Sequence, residues 1–258
     1  MKVRVNCATI VTAAAAVCLL CDGGDAIGTI AVMSSNAMRP LLQDVVPQFE
    51  RASGARVQIE YGVGAQIARR IHAGEPFDVV VLTPSSLDAL ANAGRIAPAS
   101  RTLIAQSPIA LAGRAGIPQR DTATVDAFRQ VILDAPSIAY AEEGVAGVFF
   151  VRLLRQWEMQ DRLQSRLRPL PTGSAVAASV ADGTAGIGVL PLSEIVHAPG
   201  VAVLGVVPKS LGGVAVMEAA LHPALANQPE ARAFLTFLTS SAVTTVLPVH
   251  GLERPAGN

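Results

Sequence analysis

Between residues 29 and 250, short apolar runs of strand length alternate with stretches whose apolar residues recur at three- and four-residue steps. This alternation constrains the fold more than any other feature, because strands followed by helices pair side by side and bury both faces of a largely parallel sheet. Thr29-Ile30-Ala31-Val32-Met33 reads as the first strand, and Ser34-Ser35-Asn36 supplies residues that favour helix starts. Met38, Leu41, Leu42, Val45, Val46 and Phe49 then trace one helical face, with Pro40 delaying or distorting its beginning. A polar/apolar alternation over 56–61 leads through Gly62-Val63-Gly64 into a helix carrying Ile67, Ala68 and Ile71. The Val run over 78–82 has the look of a strand covered on both faces, and Thr83-Pro84-Ser85 opens the next helix.

The pattern resumes after Pro108, with strands expected over 109–112, 137–141, 186–190 and 201–207 and an apolar run over 214–221. Helices are expected over 145–157 and 174–182, and a closing pair over 229–238 and 241–247. No tandem repeat and no low-complexity linker interrupts the chain. Two α/β lobes without a tether have to be joined by strands running from one into the other. The Pro- and Gly-marked stretches 107–113 and 207–213 are the candidate crossings. Lobe I is then 27–107 plus 209–258, lobe II is 108–208, and the cleft between them is the natural ligand site.

With 51% hydrophobic and 16% charged residues among 258, the chain buries enough surface to offset its ordering entropy, which excludes disorder for most of it. The 14-residue apolar stretch 8–21 falls short of the roughly 20 residues that cross a bilayer. Lys2 and Arg4 ahead of it, and Gly24-Asp25-Ala26 behind it, give a signal peptide over 1–26, hence an exported, periplasmic protein. Cys7, Cys18 and Cys21 all fall in that segment, leaving the mature chain none. Lipid attachment at Cys21 is the alternative, against which Cys18-Leu19-Leu20 lacks the small residues such processing prefers. Twenty Lys+Arg balance 20 Asp+Glu, and without a basic stripe no nucleic-acid partner is expected.

Ordinary catalytic signatures are absent: no G-x-S-x-G, no phosphate-loop motif and no H-E-x-x-H occurs. His72, His197, His222 and His250 are far apart in sequence, so no metal site and no cofactor are expected. Gly62-Val63-Gly64 fails as a dinucleotide fingerprint because Ile67 stands where its third glycine belongs. Glu142 and Glu143, as neighbours, read as charges favouring the positive end of a helix beginning at 144–147. A further signal is the set of turns made of small or hydroxyl residues: 34–36, 62–66, 144–147 and 172–175. Helix N-termini expose unpaired N–H groups, so several aimed at one crevice hold an anion without a formal cation.

The order Ala31 to Met38, then Ile67 to Asp78, then Gly186-Ile187-Gly188-Val189, and the closing stretches 233–240 and 246–252 resemble the periplasmic molybdate-binding proteins of ABC transporters. The likeness spans 29–253 and implies the two-lobed type II periplasmic-binding fold, a small anionic ligand, a permease partner, a monomer and no chemistry. Hinge bending at the crossings would close the lobes over the ligand. By position, the oxyanion loops would be Ser34 and Ser35; Val63, Gly64 and Ala65; Val145 and Ala146; Ser174, Ala175 and Val176; and Leu190. The chain departs from the family at Gly62-Val63-Gly64-Ala65, where serines are usual, and at Leu190-Pro191, where a tyrosine is usual. Two hydroxyl donors are thus missing, each worth about 1.5–3 kcal/mol to a bound anion. A small organic carboxylate is therefore the alternative ligand, with Gln66, Arg69 or Arg101 as partners unless the arginines sit in salt bridges. A secreted enzyme using Glu142 or Glu143 with a histidine is a third, remote reading.

Overall fold

A computed structural model describes residues 28–255. The expected signal segment and all three cysteines lie outside the described residues. The chain begins with β1 (Thr29–Ser35), a 3-10 turn over Asn36–Met38, α1 (Arg39–Ser53), β2 (Arg56–Gly62), α2 (Gly64–His72), β3 (Val79–Leu82) and α3 (Pro84–Asn92). A long β4 (Thr102–Arg114) leads to α4 (Val125–Asp134), β5 (Ile138–Ala141), α5 (Val145–Gln156), α6 (Gln160–Leu163), β6 (Leu167–Leu170) and α7 (Gly173–Asp182). β7 (Ile187–Pro191), α8 (Leu192–Ile195), β8 (Val201–Val206), β9 (Val214–Leu221), α9 (Pro229–Leu238) and α10 (Ser241–Val246) complete it.

Two sheets share β4. Its first half, through Pro108, pairs antiparallel with β9, whereas from Ile109 onward it pairs antiparallel with β7 and β8. The parallel arrangement read from the sequence holds in the outer three strands of each sheet, β2-β1-β3 and β6-β5-β7. The strands that carry the chain out and back add the antiparallel pairs, β9 lying antiparallel to β3 as well. The return passage is bound to the outgoing one, since Val207 N–H donates to Ile109 C=O at 2.9 Å and Ile109 N–H to Gly213 C=O at 2.8 Å.

Helices cover both faces of each sheet over its inner strands, which is why β3, β5 and β7 are buried throughout and read as nearly continuous apolar runs. α1, α9 and α10 bury Leu41, Leu42, Phe49, Phe234 and Val243 against one face of the first sheet, and α2 and α3 bury Ile67, Ile71, Leu87 and Leu90 against the other. In the second sheet α4 and α5 supply Phe128, Ile132, Phe150 and Leu154, and α7 supplies Val176 and Val180 on the opposite face. Pro40 is accommodated in the first turn of α1, after the 3-10 turn, where its missing N–H has no partner to lose. The run Pro229–His250 is long and apolar enough to cross a membrane. It is split into α9, α10 and a 3-10 turn, and α9 buries Ala231, Phe234, Leu235 and Leu238 in the core.

Candidate functional site

Parallel strands deliver their carboxyl ends to one side of a sheet, and the loops that follow them face a shared crevice. Here β1 ends at Ser35 in register with Gly62 at the end of β2, with β3 alongside; β5 ends at Ala141 and β7 at Pro191 from the second sheet. Between these ends lies a cleft of about 490 Å³. One wall is formed by Ser35, Asn36, 62–65, 83–86, Val214 and Val216; the other by Ala141, 143–148, Gly173, 189–191 and Glu194.

Helix starts around this cleft fall into two kinds. The 3-10 turn after β1 is capped by Ser35 Oγ, which accepts from Ala37 N–H, and α7 is capped by Thr172 Oγ1, which accepts from Ala175 N–H. α2, α3 and α5 carry no side-chain cap, and their first residues line the cleft. The unpaired N–H groups of their first turns, which in α3 begin at Ser85 because Pro84 has none, are therefore available to an anion, each helix end favouring negative charge by about 0.3–1 kcal/mol or more where partly buried. Gly147 lets α5 start this close to β5: a β-carbon there would overlap the Ala141 carbonyl oxygen and stand 2.9 Å from its carbon.

Hydroxyls supplement the backbone. Thr83 Oγ1 lies 3.0 Å from Ser86 Oγ and 3.3 Å from Ser85 Oγ, so the β3–α3 turn brings three hydroxyls to the wall. No Lys, Arg or His is among the described residues lining the cleft; its charged groups are Glu143 and Glu194. Glu143, exposed at the rim, accepts two hydrogen bonds from Arg69 at 2.7 and 3.0 Å, and the guanidinium holds its carboxyl below the usual range. That pair links α2 to the start of α5 and so spans the two walls.

Glu194 is different. It stands in α8, on the wall between the cleft and a second, larger cavity, and among the described residues its carboxylate has no hydrogen bond or ion pair. Burial pushes its pKa up from the ordinary 4.5 to about 7, an effect that the positive charge of Arg39 only partly offsets. α8 is held in place from below: Ser107 Oγ accepts from Ser193 N–H at 3.0 Å and donates to Gly251 C=O at 3.0 Å. Gly173 lies so close to the Glu194 carboxyl that a β-carbon would overlap Oε2 and stand 2.9 Å from Cδ.

Of the residues singled out from sequence, Ser35, Val63, Gly64, Ala65, Val145, Ala146 and Leu190 line the cleft together. Ser34 is fully buried, its Oγ donating to Ser35 C=O at 3.2 Å. Ser174 opens onto the second cavity, Ala175 lines neither space, and Val176 is in the core. α7 starts at Gly173, and it is Gly173 and not Ser174 that faces the cleft. Arg69 pairs with Glu143, and Arg101 bridges Asp88 and Glu218. The hydroxyls at 83–86 were legible as a helix start of the same composition as the others; Glu194 carried no sequence signal. In the second cavity, His197 Nε2 lies 3.0 Å from His250 Nδ1 and His250 Nε2 lies 3.0 Å from Asp44 Oδ2, a chain assembled from residues far apart in sequence.

The model of the bacterial extracellular solute-binding protein family matches residues 30–253. The chain belongs to this family. The solute-binding protein is 31% identical over 233 residues, 88% of each chain, to a protein of a Pseudomonas species named aconitate isomerase. It is 25% identical over 186 residues, 70% of this chain and 72% of the relative, to the molybdate-binding protein ModA of Escherichia coli K12. Among solved structures, the Azotobacter vinelandii periplasmic molybdate-binding protein superposes with a TM-score of 0.73 at 19% identity, covering 88% of this chain and all of the other. The fold is thus the type II periplasmic-binding architecture read from the sequence. The expectation that the solute-binding protein performs no chemistry is corrected: a relative spanning 88% of both chains bears an enzyme's name.

Proposed function

We propose that the cleft binds an unsaturated polycarboxylate of the aconitate type and isomerises it by moving its double bond. The observation that carries this reading is the 31% identity, across nearly the whole chain, to a protein named aconitate isomerase. The geometry of the cleft supports it. Three uncapped helix starts on two opposed walls suit a ligand whose negative charges are spread over separate carboxylates. The absence of usual hydroxyls at 62–65 and at Leu190, with replacement donors at Thr83, Ser85 and Ser86, argues for a ligand of a shape other than a compact tetrahedral oxyanion.

The chemistry asks little of the protein. In aconitate a methylene group sits between a carboxylate and a carbon–carbon double bond. Removing one of its protons gives an anion delocalised over three carbons and the adjoining carboxylates. Returning a proton at the other end of that unit moves the double bond and exchanges the cis and trans arrangements. Atoms balance without a co-reactant, and helix N-termini stabilise the charge that develops on the carboxylates. As a member of its family, the protein is also suited to present a bound solute to a permease of the ABC class.

The test is to incubate the purified protein with cis- or trans-aconitate and follow isomer composition by proton NMR, with melting temperature recorded alongside. Interconversion of the two isomers and a rise in melting temperature are expected. A melting-temperature rise with molybdate or tungstate, with no turnover of aconitate, would replace this reading with oxyanion capture.

A further inference from the structure

We infer that Glu194 is the catalytic residue that takes the proton from the bound polycarboxylate and returns it at the other end of the allylic unit. This rests on the isomerase reading above and names the group that performs its chemical step.

Proton transfer requires a base within reach of the ligand and free to accept. Two carboxylates line the cleft, and their surroundings give them different tasks. Glu143 is exposed and doubly hydrogen-bonded to Arg69, which keeps it ionised and occupied at the rim. Glu194 lies in the wall itself, with no protein partner for its carboxylate among the described residues. Asp88 and Glu218 are bound to Arg101, Asp78 accepts from Ala31 N–H at 2.7 Å, and no histidine is among the described residues lining the cleft.

Three features keep Glu194 unpartnered and correctly placed. Ser107, itself fully buried, anchors the first turn of α8 through Ser193 N–H. Gly173 offers no side chain where the carboxyl sits. The uncapped starts of α2, α3 and α5 stand around the same cleft, so ligand carboxylates drawn to them leave the carbon skeleton facing the Glu194 wall. Burial raises the pKa of the Glu194 carboxyl to about 7, where one group serves as base and then as acid with nearly equal ease. The other charged or titratable groups lining the two cavities that meet at Glu194 are Arg39, Asp44, Glu143, Asp182, His197 and His250; of these Arg39 is the one that pulls its pKa down.

The step begins with Glu194 as carboxylate. It removes a methylene proton as the carbon–hydrogen pair moves into the allylic unit, becomes the neutral acid, and then protonates the former alkene carbon, which regenerates the carboxylate. Exchange with water during the life of the anion would place solvent deuterium in the product.

The experiment uses the full-length mature protein in deuterium oxide with aconitate as the probe. Glu194→Gln is expected to lower kcat at least a hundredfold and abolish deuterium wash-in, while the melting-temperature rise caused by aconitate persists. Glu194→Asp is expected to restore part of the activity. Glu194→Gln turning over within fivefold of the wild type overturns the inference alone, and so does a variant that loses the aconitate-induced melting shift together with turnover. A wild-type protein that neither binds nor isomerises aconitate overturns the isomerase reading and the inference with it. Should Glu194→Gln fail to fold, Gly173→Ala displaces the same carboxyl without removing it: a large loss of turnover with aconitate binding intact supports the assignment, and unchanged turnover refutes it.

Discussion

Gly173→Ala is the most informative single perturbation, because it adds one methyl group and is aimed at one carboxylate. The added carbon would overlap Glu194 Oε2, stand 2.9 Å from its Cδ and 3.2 Å from Leu190 Cδ2. The carboxyl has to withdraw by more than about 1 Å, into the cleft or toward the second cavity, to restore ordinary contact distances. Folding should tolerate this. Alanine gains up to about 1 kcal/mol over glycine in a helix, and displacing the far end of a flexible side chain costs a similar amount. The melting temperature is then expected to stay within about 4 °C of the wild type. Catalysis should not tolerate it: a reacting group misplaced by about 1 Å loses on the order of a hundredfold in rate, about 2.7 kcal/mol of barrier. The assay is the isomer ratio of aconitate followed by NMR, with aconitate binding measured separately from the melting shift. If Gly173 acts only through Glu194, the Gly173→Ala, Glu194→Gln double variant is no slower than Glu194→Gln alone. Full activity in Gly173→Ala, or additive losses in the double variant, would refute the placement of the carboxyl.

Two further expectations concern stability. The Glu194 carboxyl has its pKa raised from 4.5 to about 7 in the folded chain, so the folded state holds its proton more tightly than the unfolded state. The resulting cost is absent below about pH 4.5, grows between 4.5 and 7 and is complete above 7, where it is on the order of 3 kcal/mol. Glu194→Gln is therefore expected to be more stable than the wild type at pH 8 and equal to it at pH 4, read from urea midpoints; equal midpoints at both pH values would contradict this. Gly147→Ala should destabilise by about 1–3 kcal/mol, because its β-carbon meets a backbone carbonyl at Ala141 and stands 3.1 Å from Tyr140 Cδ2, groups that cannot swing aside. Circular dichroism melts check it, and an unchanged melting temperature would show that α5 has room to move.

Much of the fold was legible in the sequence. The helix periodicity at Met38 to Phe49 and the Val run before Leu82 report how each segment meets its own neighbours, so α1 and β3 were readable from local pattern. α4 and β6 went unread: α4 buries only Phe128 and Ile132, and β6 is a four-residue edge strand containing Pro169. The turns of small residues at 62–65 and 144–147 were read as helix starts suited to an anion, and both line one cleft. The turn at 172–175 misled by a single residue, because the phase of the first turn of α7 decides whether Gly173 or Ser174 looks inward.

The sequence by itself determined the alternation of strands and helices and the turns of small residues that open several helices, features that depend on residues near one another in the chain. Only the tertiary structure decided which helix starts stay uncapped, that Arg69 reaches across to Glu143, and that His197, His250 and Asp44 form one chain. It alone singled out Glu194, whose isolation depends on Gly173, 21 residues earlier, and on Ser107 beneath it. A carboxylate's chemistry is set by what fails to pair with it, and that is a property of the packed molecule.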